Sequence, residues 1–235
     1  MTGLWVIARR EIRSYFDGPV GYVVLTLFLL LSGWFFSNGL FLQGVATVRV
    51  LFDMTFILFM FFIPAITMGA FAEERRAGTL ELLLTMPIKD WQVIYGKLLA
   101  SFVLLCIAIG LTVIYGIIVA FLGDIDAGAT IAGYFGTALL GLACASIGIL
   151  ASSLTRNQVV AFIIAFAIVF TLFMIDKVTL FVPGWMASTL QYISLDFHYQ
   201  NLLRGVVDTR DLIYFISIVV LSAVLTAYHL ARRPE

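Results

Sequence analysis

Seven stretches of the chain carry no Asp, Glu, Lys or Arg: Gly18–Val48, Met54–Ala72, Leu98–Gly123, Ala127–Thr155, Asn157–Ile175, Val178–Leu195 and Leu212–Ala231. Each holds at least 18 residues, and about 20 apolar residues cross a hydrocarbon layer as a helix. Apolar positions run on without alternating, which predicts helices and not an outer-membrane barrel. Six runs read as ordinary spans. The seventh, Val178–Leu195, has Pro183-Gly184 near its middle, where a helix would break and leave backbone groups unpaired in lipid. That run is expected to be re-entrant or interfacial, with a seventh span as the alternative. The expected fold class is an all-α membrane protein, one transmembrane domain over residues 1–235.

Composition agrees with this reading. Apolar residues make up 62% of the 235 and charged residues 12%, against about 45–50% and 25% in ordinary soluble domains. So few charges cannot cover that much apolar surface in water. Fourteen basic residues balance fourteen acidic ones, so no net charge draws the chain to nucleic acid.

Charge placement sets the expected orientation. With six spans and both termini inside, the cytoplasmic side holds Arg9, Arg10, Arg13, Arg75, Arg76, Lys89, Lys97, Arg156, Arg232 and Arg233. The outer side keeps Arg49, Lys177, Arg204 and Arg210. This satisfies the positive-inside rule. The first apolar run is too long for a signal-peptide core, so no cleaved leader is expected. Cys106 and Cys144 fall inside spans and read as packing residues.

Residues 1–17 form an amphipathic pattern. On a helical wheel Arg9, Arg10, Arg13 and Asp17 share one quadrant, and Trp5, Ala8, Ile12, Tyr15 and Phe16 lie opposite. This predicts a helix in the membrane interface, with its aromatic residues at headgroup level. Glu11 points toward the apolar side. It is either a carboxylate at the edge of the polar face or the buried partner of a basic residue elsewhere.

The connection 73–97 between the second and third spans is the polar segment best suited to meet another protein. On one helix, Glu74, Gly78, Glu81 and Thr85 would line one face, and Ala77, Leu80 and Leu84 another. Two acidic residues open it, as a helix start favours, and Pro87 closes it. A solvated loop helix is the alternative. The outer segment 176–211 carries Asp176, Lys177, Asp196, His198, Arg204, Asp208, Arg210 and Asp211. Its charges are either a structural cluster or a docking site for an outer partner.

Catalytic and nucleotide signatures are missing. G-x-x-x-x-G-K-[ST], H-E-x-x-H and G-x-S-x-G do not occur, so no catalytic residue and no metal or cofactor site is expected on this chain. Asp196 and His198 are a weak candidate pair for a membrane-embedded enzyme, with no third ligand in view. No span carries Asp, Glu, Lys or Arg in its interior, its titratable groups being His229, the two cysteines and several tyrosines, which argues against an ion-coupled carrier, and no charged ring suggests a channel. Gly133, Gly136, Gly141 and Gly148 in the fourth span permit close helix approach, within the chain or at a dimer seam.

The segment EERRAGTLELLLTMPI (Glu73–Ile88) resembles the coupling loop of ABC-2 type ATP-binding-cassette permeases, and the span layout is similar along the whole chain. ARREIRSYFDGPVGYVV (Ala8–Val24) and HYQNLLRGVVDTRDLIYFIS (His198–Ser217) resemble more particularly the gliding-motility-associated permeases. The resemblance implies a non-catalytic permease subunit in a bacterial inner membrane. It would pair with a second permease chain and with a separate ATPase that holds ATP and magnesium. Contacts to that ATPase would fall on Glu73, Glu74, Arg75, Arg76, Gly78, Thr79, Glu81, Thr85 and Pro87, supported by the interfacial helix with Trp5, Arg9, Arg10, Glu11 and Arg13. A larger membrane protein with an extracytoplasmic domain would dock at Asp196, His198, Arg204, Asp208 and Arg210. The implied function is export or extraction of an amphipathic substrate. The alternative is mechanotransmission to that outer partner without cargo.

Overall fold

A computed structural model describes residues 3–42, 47–79, 89–123 and 126–231. Helix α1 (Gly3–Asp17) precedes α2 (Val20–Ser37), which loosens into a short π-helical turn at Asn38–Leu42. Helix α3 (Arg49–Thr67) continues after a break at Met68 as α4 (Gly69–Arg76). The third span is α5 (Asp90–Leu111) and α6 (Val113–Leu122), bent at Thr112. The Thr112 carbonyl accepts from the Tyr115 amide at 3.0 Å and also from the Tyr134 hydroxyl at 3.0 Å, so the backbone oxygen at the break stays satisfied. Helix α7 (Ala127–Ser153) and α8 (Gln158–Val178) follow, then the short pair α9 (Gly184–Ile193) and α10 (Leu195–Leu203), and finally α11 (Thr209–Ala231).

Six helical stretches are long and apolar enough to cross a membrane: Val20–Phe41, Arg49–Arg76, Asp90–Leu122, Ala127–Ser153, Gln158–Val178 and Thr209–Ala231. They coincide with the six ordinary runs of the sequence. Pro183 breaks the seventh run as expected, and neither α9 nor α10 qualifies as a span. The two differ in burial. Helix α9 has no buried residue, whereas α10 buries Leu195, Asp196, His198, Tyr199, Leu202 and Leu203 against the bundle. Only the second half of the segment turns back into the protein.

Helix α7 is the hub, touching α3, α4, α5, α8, α10 and α11. Its small residues make this possible. A Cβ built on Gly133 would lie 2.4 Å from the Phe52 ring, on Gly136 2.8 Å from Leu202 Cβ, and on Gly148 2.0 Å from Thr67 Oγ1. These glycines therefore pack within the chain, which decides between the two seams the sequence left open. Tyr199 of α10 reaches the same core, donating to the Phe52 carbonyl at 3.1 Å and meeting Thr137 Oγ1 at 2.9 Å. Around this hub, α2, α8 and α11 turn outward large apolar side chains such as Leu30, Trp34, Ile163, Phe170, Ile216 and Leu221. Exposed apolar area on this scale belongs in lipid or against another membrane chain. Cys106 faces outward and Cys144 is buried, with no disulfide.

Candidate functional site

Arginines gather at one end of the bundle, and there α1 lies across the start of α5. Three faces explain its sequence. Ile7 and Ala8 are buried, and Glu11 and Tyr15 flank them toward the protein. A Cβ on Gly96 of α5 would fall 2.9 Å from Ile7 Cγ2, so the two helices touch closely. Trp5, half exposed at 50%, shares a second face with Ile12 and Phe16, and the arginines occupy the third. The sequence wheel had grouped Ala8 and Tyr15 with Trp5 as one lipid face. The structure assigns them to a protein contact instead.

Glu11 meets a basic residue at that contact. Lys97, only 3% exposed, donates to Glu11 Oε1 at 3.0 Å and to Glu74 Oε1 at 2.9 Å. Arg10 Nη2 donates to the same two oxygens at 2.7 and 2.9 Å. Two cations and two carboxylates thus cancel, as a largely dry site requires. Burial alone would raise the Glu11 carboxyl. Lys97 and Arg10 outweigh it and hold Glu11 below its ordinary value. The Lys97 ammonium also sits 5.3 Å from the centre of the Phe71 ring. The cluster joins α1, the base of α4 and α5.

The break before α4 is fixed from α7. Ser152 Oγ donates to the Met68 carbonyl at 2.8 Å and accepts from the Phe71 and Ala72 amides at 2.9 and 3.0 Å. It replaces the helix bonds lost where α3 ends. Beyond α4, Gly78 takes φ +70°, a left-handed stop that favours glycine, although a Cβ built there would meet nothing within 4 Å. One helical face through Glu74, Gly78, Glu81 and Thr85 is therefore interrupted at Gly78, and Glu74 faces into the ion cluster. Glu73, Arg76 and Gly78 are exposed. Arg75 Nη1 donates to His229 Nε2 at 3.4 Å, and Thr79 Oγ1 donates to the Glu74 carbonyl at 3.3 Å. Glu81, Thr85 and Pro87 lie outside the described residues. Arg9 and Arg13 are exposed on α1.

The opposite end corrects the reading of Asp196 and His198. Both are buried, at 2% and 3% exposure, so neither is accessible for docking. Two positions apart on α10, they point in different directions. Asp196 accepts from Lys177, and from Gln200 Nε2 at 3.4 Å. His198 Nδ1 lies 2.6 Å from Asp211 Oδ1, and its Nε2 meets the Tyr192 carbonyl at 3.1 Å. Gln200 Nε2 also donates to Asp53 Oδ1 at 2.9 Å. These bonds tie α10 to α3, α8 and α11. No group of three metal-ligating residues occurs among the described residues. Arg204, Asp208 and Arg210 are exposed.

Sequence reasoning left Lys97 as one more basic residue at a span boundary and passed over Ser152. Glu11, on the wrong side of its helix, was the one available signal for the ion cluster. Ser152 had none, because a serine in a span of small residues looks like packing.

Among the described residues, an all-helical fold with six spans, a cationic helix lying across one end and both ends of the polar connection 73–97 at that same end defines a multi-pass integral membrane protein. Residues 5–231 match the family described as ABC-2 family transporter protein. The chain belongs to that family and is a transmembrane permease of an ABC transporter, a membrane subunit that works with an ABC ATPase. No curated protein matches it.

Proposed function

We propose that this chain receives the ATPase's closure through the connection 73–97 and passes it to the spans through the Arg10–Glu11–Glu74–Lys97 cluster. ATP and magnesium are held by a separate subunit, and two permease chains pair. The basic end faces the cytoplasm of a bacterial inner membrane, as the distribution of arginines favours, and both termini lie there. One observation carries this reading. Glu74 and Lys97 bracket the connection and bond each other at 2.9 Å, so its two ends move as one unit, to which Glu11 also attaches α1. Glu73, Arg75, Arg76, Gly78 and Thr79, with Glu81, Thr85 and Pro87, form the contact to the ATPase. The cargo is an amphipathic molecule exported or extracted from the bilayer, which suits walls of apolar side chains.

A second reading has an observation of its own. Close packing at Gly133, Gly136 and Gly148 ties α7 to Phe52 and Thr67 of α3 and to Leu202 of α10. That suits mechanotransmission to a larger membrane protein of the gliding-associated kind, docked near exposed Asp208 and Arg210. The test is reconstitution of the chain with its ATPase in vesicles. Lipid-stimulated ATPase activity that is lost in Glu74→Lys supports coupling through the cluster. Unchanged stimulation in that variant overturns it. ATP-driven movement of a labelled amphiphile selects export over mechanotransmission.

A further inference from the structure

At the end of the bundle opposite the ion cluster, the starts of α3 and α7 and the ends of α6 and α10 line an open cavity of about 290 Å³. Its floor is apolar, with Phe52, Val119 and Leu203 all buried. Arg49 and Arg204 line it, together with Thr47 and Asp126. Arg204 has no side-chain partner among the described residues, and Arg49 has only Gln200 Oε1, at a long 3.4 Å. Asp126 lines the same cavity and its Oδ1 caps α7 by accepting from the Ala129 amide at 3.1 Å, so one carboxylate stands against two guanidinium groups and the lining is net cationic.

The Arg204 wall is held in place. Gly205 at φ +80° ends α10, and a Cβ there would stand 3.3 Å from Ala129 Cα in the first turn of α7. Two guanidinium groups above an apolar floor at a membrane surface match a phosphate attached to something greasy. Arginine offers planar paired donors to phosphate oxygens, and pockets of this size accept headgroup-sized ligands.

We infer that this cavity binds a phosphate group, carried by a lipid headgroup or free in solution. The site stands apart from the coupling cluster and does not depend on what the chain transports.

The test uses the purified full chain, native mass spectrometry and thermal unfolding. The probes are phosphatidylglycerol, uncharged diacylglycerol and inorganic phosphate. The variants are Arg49→Gln/Arg204→Gln and, at the other end, Arg9→Gln/Arg13→Gln. The expected result is phosphatidylglycerol retention about tenfold above that of diacylglycerol, a difference of about 1.4 kcal/mol. Retention should fall to the diacylglycerol level in Arg49→Gln/Arg204→Gln and persist in Arg9→Gln/Arg13→Gln. If the lipid is retained equally but inorganic phosphate raises the unfolding temperature of the parent and not of Arg49→Gln/Arg204→Gln, free phosphate is the ligand. Equal lipid retention and equal phosphate response in parent and variant overturn the inference. Arg204→Gln alone removes no contact made by its side chain among the described residues, so it provides a folded variant if the double change unfolds the chain.

Discussion

Lys97 Nζ lies 2.9 Å from Glu74 Oε1, and the two residues stand at opposite ends of the connection 73–97. This ion pair, with Lys97 buried and Glu74 mostly so, joins the two described ends of the connection. Glu11 accepts from the same ammonium at 3.0 Å, so α1 is fastened at the same point. In the proposed coupling, a push on the connection reaches α1, α4 and α5 together through these bonds.

Removing Lys97 leaves two carboxylates in a largely dry site with one half-exposed arginine. Lys97→Met is expected to destabilise the chain by about 3–5 kcal/mol, read as a lowered unfolding temperature in detergent. Glu11→Gln/Lys97→Met should cost less than the two single changes added, because both remove the same interaction. Strict additivity would show that the two groups do not interact.

Acid should loosen α1. The Glu11 carboxyl is held below its ordinary value of 4.5, so its contribution is complete above that pH and is lost as pH falls through the lowered value. Attachment of α1, followed by hydrogen exchange of its amides, should be flat from pH 8 to about pH 5 and weaken below about pH 4. In Glu11→Gln the acid limb should disappear. An unchanged acid limb there would assign it to another group.

Ser152→Ala strands the Phe71 and Ala72 amides at the start of α4. About 1–3 kcal/mol is expected for each buried donor left without an acceptor, with faster hydrogen exchange confined to the α3–α4 break. Protection unchanged at Phe71 and Ala72 would contradict the assignment.

Close packing of α7 makes a sharp comparison possible. Gly148→Ala places a Cβ 2.0 Å from Thr67 Oγ1 and should cost about 1–3 kcal/mol. Gly110→Ala meets nothing within 4 Å and should leave the unfolding temperature within a degree or two of the parent. Equal effects would mean that α7 is not packed as described.

Spans were legible because the cost of charge in lipid confines Asp, Glu, Lys and Arg to helix ends, so uncharged runs mark the crossings. The Pro183-Gly184 break was legible for the same backbone reason. Partners were less so. Glu11 was visibly misplaced on its wheel, yet nothing local identified Lys97, which is distant in sequence and looks like any boundary lysine. Glycines of α7 announced close contact but not with what, since Phe52, Leu202 and Thr67 come from other helices. Asp196 and His198 lie in an outer segment rich in charged residues, which reads as accessible. Their burial depends on α10 turning back into the bundle, which composition does not encode. Gly78 could be read as one position on a helix face, but its left-handed backbone ends that face.

The most direct test of coupling through the cluster is a charge exchange, with the chain reconstituted alongside its ATPase and ATP hydrolysis measured. Lys97→Glu should abolish the permease-dependent stimulation, because three carboxylates then crowd one arginine. Glu11→Lys/Lys97→Glu, which restores two charges of each sign, should recover a substantial part of it. Full stimulation in Lys97→Glu, with α1 shown by hydrogen exchange to be detached, would contradict the account.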